Sequence, residues 1–345
     1  MAMDPSRAES VGPALLEHLA VRLDAAGLSY VETPHQIGAG YDTHTYAFLL
    51  QGELLDRSWA RPLVIRIFPG ADDGPRLERE AAVHGFVVER GYPAPRLLAV
   101  ESRPDVIGRP FIVMERVSGA PVSTRLARGD LLAVYRLAKA VADAHVALHM
   151  LPIESFPGPA EGSSVDRQLA RFREWAGRIE GLDGPLRWLE EHRDTVKPEE
   201  PCVCHNDFQP LNIIAGPNDR VSVIDWSNAE VGDRHQDIAD LLVSVSTGTP
   251  GPAAPRPLLT QLRRRWANSL FAWQYVRTYR RGLPIDRDRL RYWEALRALG
   301  RWGMLMVLRT LGPESLAMKP GPIETGVAAQ DPARLYRYFW KRTRA

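Results

Sequence analysis

The apolar segments of this sequence change in length near residue 120, and this change limits the folds that the chain can adopt. Before it, short β-branched runs such as 62–68 (PLVIRIF) predict strands, and residues 75–91 predict one main helix. After it, long segments with helical spacing begin at residues 131–151. Strands grouped early and helices grouped late are typical of an α+β protein and not of repeated βαβ units.

We therefore predict two lobes. The 345 residues exceed what one core usually holds. The small N-terminal β-sheet lobe is expected to span residues 1–117 and to carry the main helix, and the larger, mostly helical lobe to span residues 118–345. Further expected elements are a helix at 13–26, a hairpin within 35–52, strands at 96–102 and 109–119, helices at 167–179 and 184–196, short strands within 203–225, a loop at 247–257 and a helical pair at 258–282 and 286–311.

Composition excludes several classes of protein. The formal net charge is only +2, which argues against a general nucleic-acid binder, although residues 251–345 hold 19 Lys and Arg against 6 Asp and Glu. No apolar run reaches membrane-span length, and the start lacks the pattern of a secretion signal, so we expect a cytoplasmic protein without a membrane partner. Cys202 and Cys204 cannot form a disulfide framework and are expected to be half-buried on a strand. A monomer and a homodimer are both compatible with the sequence.

Two short polar motifs lie in the middle of the chain. In HNDFQPLN, Asp207 and Asn212 are five residues apart, and further on Asp225 follows the apolar run VSVI. In phosphoryl transfer one carboxylate orients the attacking hydroxyl, while an amide and a second carboxylate hold Mg²⁺ on the nucleotide phosphates. The alternative is that Asp207 and Asn212 cap turns and that Asp225 ends a strand. The order and separation of the two motifs together favour phosphoryl transfer.

These motifs resemble those of the aminoglycoside phosphotransferase and choline kinase family, which are small-molecule kinases with a protein-kinase-like fold. The resemblance is strongest across 202–243. It implies that Asp207 is the catalytic base and that Asn212 and Asp225 bind Mg²⁺.

The resemblance also implies supporting roles for three residues around the loop. His205 is expected to pack beneath it, and Asp237 is expected to hold its backbone from the following helix. Asp233 belongs to the Gly-Asp turn of the family and is expected to be structural.

In the first lobe the resemblance implies nucleotide-binding parts. Gly38 and Gly40, in IGAGYDTHTYAF, match a turn that covers the phosphates. Arg66 stands where protein kinases have a phosphate-binding Lys, and a guanidinium can hold phosphates in a bidentate manner. The alternative for Arg66 is an exposed residue in a surface ion pair. Its expected partner is Glu80, with Glu78 as the second choice.

The segment Met114–Val117 matches the hinge of the family. Backbone groups of Met114, Glu115 and Val117 are expected to hydrogen-bond the purine of ATP or GTP.

Departures from the protein-kinase pattern indicate a small acceptor. Asn206 replaces the Arg that binds activation-loop phosphates in protein kinases, and only twelve residues lead from Asp225 to Asp237. This distance leaves no room for an activation loop and a peptide-docking platform. We predict an O-phosphotransferase that moves the γ-phosphate of ATP or GTP to a hydroxyl of a small molecule, such as an antibiotic.

The sequence leaves the acceptor open. The C-terminal helices, which build the substrate pocket in this family, contain few carboxylates and many aromatic residues, and this disfavours a polycationic aminoglycoside. A macrolide phosphotransferase is one alternative, and a catalytically silent, kinase-like nucleotide-binding protein is another. The aromatic residues are Trp266, Trp273, Tyr275, Tyr279, Tyr292 and Trp293; the carboxylates are Asp286, Asp288 and Glu294, with Glu154, Glu161 and Asp166 as a further acidic set.

Overall fold

In a computed structural model of the protein, the chain divides into two compact units, Met1–Val117 and Ser118–Ala345. The first unit is a sheet with helices and the second is mainly helical, so the predicted α+β class is confirmed. The structure describes residues 7–39, 43–53, 55–128, 130–159, 164–196, 200–248, 258–312, 315 and 331–344. None of the helices in these ranges is both long enough and apolar enough to cross a membrane.

The first unit contains a five-stranded antiparallel sheet. Its strands lie in the order β1-β2-β3-β5-β4, so the third strand occupies the centre. All five residues of the central strand are buried because both faces of the sheet are covered. The strands are β1 (Ser29–Ala39), β2 (His44–Gln51), β3 (Leu63–Ile67), β4 (Leu97–Glu101) and β5 (Phe111–Glu115).

Two helices belong to this unit, and the sequence predicted both, one at 13–26 and the main helix at 75–91. Helix α2 (Gly74–Glu89) is the main one, and α1 (Ala8–Arg22) packs against β1. Helix α1 begins earlier than the predicted residue 13 and contains Pro13 in its interior. Its buried stripe explains the earlier start, since Val11, four residues before Leu15, is fully buried and favours one more turn.

The two faces of the sheet pack against different elements. On one face Ile65 and Phe111 join the core that includes the apolar stripe of α1. On the other face Ile112 packs with Phe68 and with Leu77 of α2. Side chains alternate along a strand, so Arg66, next to Ile65 and paired with Ile112, points toward the α2 face.

The second unit contains most of the helices. Their apolar faces form one large core that includes Phe172, Leu189, Leu299 and Phe339. The last helix was not predicted; Asp331 caps its start, and Leu335 and Phe339 are its buried residues. The helices are α3 (Val122–Arg128), α4 (Leu131–His149), α5 (Ser164–Trp175), α6 (Asp183–Glu191), α7 (Arg234–Thr247), α8 (Leu258–Gly282), α9 (Arg287–Leu311) and α10 (Pro332–Thr343).

Five short strands in this unit frame the loop that carries HNDFQPLN. Strands β6, β8 and β9 form one small antiparallel sheet, and β7 pairs with β10 in another. The predicted helix at 184–196 is shorter than expected, because a 3₁₀ turn at Arg193–Val196 follows α6. Most of the predicted loop at 247–257 lies outside the described residues. The strands are β6 (Ala120–Pro121), β7 (Cys202–Cys204), β8 (Ile213–Ala215), β9 (Val221–Val223) and β10 (Glu230–Gly232).

Candidate active site

The loop between β7 and β8 is fixed at its start by a buried carboxylate from α7. The Oδ2 atom of Asp237 accepts the backbone N–H of His205 at 2.6 Å, and its Oδ1 accepts that of Asn206 at 2.7 Å. Asp237 is fully buried. The role predicted for it, holding the loop backbone, is confirmed.

His205 packs beneath the loop with no exposed surface. Its Nδ1 accepts the N–H of Asp207 at 3.2 Å, and its Nε2 donates to the carbonyl of Ile224 at 3.1 Å. Burial lowers the pKa of His205, so the neutral ring can accept at one nitrogen and donate at the other. His205 therefore ties the loop to the chain just before Asp225.

Two amides hold the side chain of Asp207. Asn212 Nδ2 donates to Asp207 Oδ2 at 2.6 Å and to the Asp207 carbonyl at 3.0 Å. Gln209 Nε2 donates to Asp207 Oδ1 at 2.8 Å. Both carboxylate oxygens are thus oriented by donors from the same loop, which restricts the directions in which they can accept a further proton.

Asp225 is placed beside this loop by the backbone of Ile224. The N–H of Ile224 donates to the carbonyl of Asn212 at 2.9 Å, and its carbonyl accepts from His205. Asp225 itself has a left-handed backbone (φ 67°), which is uncommon for a residue other than glycine. Ser227 Oγ donates to Asp225 Oδ1 at 2.9 Å. The structure therefore brings Asp207, Asn212 and Asp225 into one neighbourhood.

The charge in this neighbourhood is predominantly negative. Burial raises the pKa of Asp207 most, and the nearby carboxylates of Asp240 and Asp225 raise it further; the Arg301 charge and the hydrogen bond from Asn212 act the other way. A bound cation would relieve this repulsion. The carboxylate of Asp225 and the amide oxygen of Asn212 are the hard oxygen donors that Mg²⁺ prefers, so the residues present fit a magnesium ion.

Asn206 also has a left-handed backbone (φ 61°), a conformation that Asn adopts more readily than most residues. Its Nδ2 donates to the carbonyl of Asn228 at 3.1 Å, and its Oδ1 accepts from Arg297 of α9 at 3.1 Å. Asn206, which stands where protein kinases have an Arg, therefore contacts an Arg of α9, 91 residues further along the chain.

Below the loop, α4 and α8 contribute a buried polar layer. His145 and His149 lie one turn apart on α4, and their Nδ1 atoms are each 2.6 Å from a Tyr hydroxyl of α8, Tyr275 and Tyr279. Their Nε2 atoms lie 3.6 and 3.4 Å from Asp237 Oδ2. Burial lowers the pKa of His145. Burial also lowers the pKa of His149, but contacts with Asp237 and Cys204 outweigh it and raise that pKa to about 9.

Cys202 and Cys204 lie on β7 as predicted, but they are buried and not half-buried. Their sulfurs are 3.6 Å apart, and His149 of α4 lies with them so that the three ligand atoms are within 4.8 Å of one another. Both ring nitrogens of His149 already have hydrogen-bond partners, Tyr279 and Asp237.

In the first unit, Arg66 forms a buried ion pair with Glu80 of α2, and Arg66 Nε donates to Thr43 Oγ1 at 3.3 Å. Glu78, the second choice, is exposed. The alternative of an exposed Arg66 in a surface ion pair is wrong, because its side chain is only 10% exposed.

Of the two glycines predicted to cover the phosphates, Gly38 lies on β1. The sheet register aligns Gly38 with Thr45 of β2, which in turn pairs with Arg66. Gly40 lies outside the described residues.

The predicted hinge residues lie at the end of β5. Met114 and Glu115 are its last two residues and are half-buried, as is Val117. The backbone N–H of Glu115 donates to the carbonyl of Arg96, and its carboxylate accepts from Arg61 at 2.9 Å. The backbone N–H of Glu115 is therefore already paired, and the purine contacts of Met114, Glu115 and Val117 stay a prediction.

Comparison with known proteins gives a match to a family model. The model of the phosphotransferase enzyme family matches residues 33–293, which is most of the chain. This chain belongs to the phosphotransferase enzyme family.

Solved structures of this family share the fold. A thermostable mutant of aminoglycoside phosphotransferase APH(4)-Ia, in complex with ADP and hygromycin B, superposes with a TM-score of 0.63 at 16% identity, covering 96% of this chain and 99% of that one. An amicoumacin kinase in complex with AMP-PNP and Ca²⁺ gives 0.57 at 14% identity, covering 97% and 95%. These likenesses confirm the predicted protein-kinase-like fold of the small-molecule kinases.

Curated relatives match in part. Acyl-CoA dehydrogenase family member 11 of Rattus norvegicus is 26% identical over 180 residues, and member 10 of Mus musculus is 25% identical over 195 residues. The matched segments are 48% and 52% of this chain but only 23% and 18% of those proteins. This phosphotransferase chain thus corresponds to a small part of the length of each.

The residues proposed to surround an acceptor are mostly part of the helical core of the phosphotransferase. Four of the six C-terminal aromatics, Tyr275, Tyr279, Tyr292 and Trp293, are almost fully buried, whereas Trp266 and Trp273 are 71% and 53% exposed. Of the further acidic set, Asp166 pairs with Arg193 at 2.5 Å, and Glu161 lies outside the described residues.

Several neighbours of Asp207 were missed by reasoning from the sequence. Gln209 donates to it, Asp240 and Arg301 act on its charge, and Arg297 contacts the adjacent Asn206. Sequence spacing could have indicated Asp240 and Arg301. Asp240 follows Asp237 by three residues on one helix face, and Arg301 follows Arg297 by four.

Proposed function

We propose that this protein transfers the γ-phosphate of ATP or GTP to a hydroxyl group of a small molecule. The observation that carries the proposal is the carboxylate of Asp207, which Asn212 and Gln209 orient on a loop whose backbone Asp237 holds. Phosphoryl transfer needs little covalent chemistry from a protein, and its rate comes mainly from positioning and charge stabilisation. A rigidly held carboxylate suits that requirement.

In the reaction we propose, Asp207 accepts or orients the proton of the acceptor hydroxyl. The hydroxyl oxygen forms a bond to the γ-phosphorus while the bond from that phosphorus to the β–γ bridging oxygen breaks. The nucleoside diphosphate leaves with the bonding electron pair, and the proton passes from the hydroxyl to Asp207.

Magnesium is the metal that this chemistry implies, and it would be held by Asn212 and Asp225. When bound, it neutralises charge on the nucleotide phosphates. The hydrogen bond from Asn212 Nδ2 to Asp207 turns the amide oxygen away from that carboxylate, so this oxygen can serve a cation.

Arg66 is the proposed phosphate-binding residue of the first unit. Its ion pair with Glu80 and its hydrogen bond to Thr43 fix the guanidinium, so little side-chain entropy remains to be lost on binding. The glycines at 38 and 40 are proposed to permit close approach of the backbone to the phosphates, as the family resemblance implies.

A small acceptor is supported by the chain that follows Asp225. The segment before Asp237 forms only strand β10 (Glu230–Gly232) and the first turn of α7. Asp233 caps that helix, because its Oδ1 accepts the N–H of His235 at 2.9 Å. Its Oδ2 accepts from the indole N–H of Trp293 at 2.9 Å. This segment is therefore structural and contains no long loop on which a peptide could dock.

The test is a screen of acceptors with Mg²⁺ and either ATP or GTP. Aminoglycosides, macrolides, choline, amino alcohols and hydroxy acids are each added, and both nucleoside diphosphate release and the mass of the phosphorylated acceptor are measured. We expect acceptor-dependent release with at least one compound. Nucleotide binding without transfer to any compound would instead favour the catalytically silent alternative.

A further inference from the structure

Helix α9 presents two arginines to the surroundings of Asp207. Arg297 and Arg301 are one turn apart, and both guanidinium groups reach residues of the candidate site. Arg297 donates to Asn206 Oδ1 at 3.1 Å, and Asn206 immediately precedes Asp207. Arg301 donates to Asp240 Oδ1 at 2.8 Å, and its charge acts on Asp207.

The two arginines differ in how their charge is neutralised. Arg301 forms an ion pair with Asp240, whose side chain is 6% exposed. In the parts of the chain that the structure describes, Arg297 has no carboxylate within ion-pair distance. Its guanidinium donates to the Asn206 amide oxygen, and its Cζ lies 5.9 Å from the centre of the Trp293 ring. Its Nε atom is buried and has no hydrogen-bond partner among those residues. A partly buried guanidinium without a counter-charge favours an anion beside it.

The carboxylates of α9 and its cap do not supply that anion. Asp286 accepts the N–H groups of Asp288 and Arg289 as the helix cap, and Asp288 pairs with Arg291. Glu294 is buried and accepts from Arg342 at 2.9 Å and from Tyr338 at 2.5 Å. A cationic group placed beside Arg297 would therefore meet a positive charge that none of these carboxylates neutralises.

We infer that the acceptor carries an anionic group, a carboxylate or a phosphate, that binds Arg297 while its hydroxyl lies at Asp207. The inference rests on the proposed function, because it names the acceptor class of the same site. A guanidinium binds both kinds of anion through two parallel N–H donors, so one residue can both attract the acceptor and fix its orientation. Arg297 is thus the residue that determines specificity for a hydroxylated acid over a neutral or cationic alcohol.

The competing role for Arg297 is to hold Asn206 and, through it, the loop. The two roles differ in their kinetic effect. Loss of an anion-binding residue raises the KM for acids and leaves neutral alcohols unaffected, whereas loss of a loop contact lowers kcat for every acceptor.

The experiment compares matched acceptors that differ only in charge: glycerate with its amide, lactate with its amide, and glycerol 3-phosphate with glycerol. Binding of each compound to the full chain is measured by calorimetry without nucleotide, and phosphoryl transfer is measured with Mg²⁺ and ATP or GTP. The proteins are the wild type, Arg297→Gln, Arg297→Lys and Arg291→Gln. Arg291 is on the same helix, is 42% exposed and pairs with Asp288, so it serves as the matched control.

We expect the wild type and Arg291→Gln to bind at least one of the acids and to discriminate against its neutral partner. Arg297→Gln should weaken binding of that acid by ~10-fold or more, as expected for loss of a charge-assisted bidentate contact, and Arg297→Lys should restore part of it. Comparing the affinities of the two carboxylates with that of glycerol 3-phosphate identifies which anionic group the site binds. Thermal unfolding of each variant verifies that it is folded.

Two results would overturn the inference: no acid binds better than its neutral partner, or Arg297→Gln binds acids as well as the wild type does. Acid binding that depends on Arg297, in a protein that transfers phosphate to no acceptor, would uphold the anion site and contradict the proposed function instead.

Discussion

The side-chain amide of Asn212 donates to the carboxylate of Asp207 at 2.6 Å and to its backbone carbonyl at 3.0 Å. An ionised carboxylate and a backbone carbonyl can accept hydrogen bonds but cannot donate them. The amide nitrogen of Asn212 must therefore face Asp207, and its amide oxygen must face away. Asn212 can therefore orient the proposed base with one end of its amide and bind a metal with the other. Gln209 also donates to Asp207, and this pair of amides allows the two roles to be separated.

Replacing Asn212 by Ala is expected to lower phosphoryl transfer more than replacing Gln209 by Ala. Each variant loses one hydrogen bond to the Asp207 carboxylate. Asn212→Ala also loses the hydrogen bond to the Asp207 carbonyl and a proposed Mg²⁺ ligand. The rate of transfer should be measured as a function of Mg²⁺ concentration, and Asn212→Ala should need more Mg²⁺ than Gln209→Ala. Equal Mg²⁺ requirements in the two variants would remove Asn212 from the metal site.

Replacing Asp225 by Ala is expected to abolish the Mg²⁺-dependent part of nucleotide binding. Asp225 is the carboxylate proposed for the metal, and hard oxygen ligands determine how Mg²⁺ binds. Calorimetric titration of ATP with and without Mg²⁺ measures this directly, with Ser227→Ala as a control that leaves the carboxylate in place. Unchanged titrations of Asp225→Ala would exclude it as a ligand.

Replacing Glu80 by Ala is expected to destabilise the protein and weaken nucleotide binding, whereas Glu78→Ala should do neither. Glu80 forms a buried ion pair with Arg66, and removing one partner of such a pair costs about 3–5 kcal/mol because the other charge is left unpaired. Glu78 lies on the same helix and is exposed, which makes it the matched control. Urea unfolding and ATP titration test both effects; similar values for the two variants would contradict the proposed role of the pair.

Stability is expected to decrease as the pH rises from about 6.5 to about 9, because of His149. Burial lowers the pKa of His149, but contacts with Asp237 and Cys204 outweigh it, so the pKa in the folded protein is about 9, above its ordinary value of 6.5. The buried charge pair stabilises the fold fully below pH 6.5, and its contribution is lost as the pH rises through the folded-state pKa. Urea unfolding across this range should show a smaller decrease for His149→Gln than for the wild type. The same decrease in both proteins would show that the pair with Asp237 does not contribute.

The regular elements could be predicted because their apolar patterns are strong. The short β-branched run at residues 62–68 predicted the central strand, the period of 3.6 in residues 131–151 predicted a long helix, and the structure has both. The start of α1 was predicted too late, at Pro13, whereas the burial of Val11 extends the helix before it. Burial depends on the packed sheet and is not visible in the local sequence.

The candidate site was predictable where its residues lie in one short stretch. Asp207 and Asn212 are five residues apart, and the structure places them side by side; the hydrogen bond between them was not part of the prediction. Arg297 could not be found in this way, because 91 residues separate it from its partner Asn206. The left-handed backbone of Asn206 was equally hidden, since it occurs where Asp237, 31 residues further along the chain, accepts its backbone N–H.

The most direct test of phosphoryl transfer by this protein is the activity of Asp207→Asn, which has nearly the same shape as the wild type but lacks the charge. Transfer of phosphate from ATP or GTP to an acceptor identified in the screen is measured alongside calorimetric binding of the nucleotide. We expect kcat to fall by ~10²–10⁴-fold, the range for loss of a general base, while the nucleotide still binds. A variant that transfers phosphate at nearly the wild-type rate would contradict the role of Asp207 and with it the proposed mechanism.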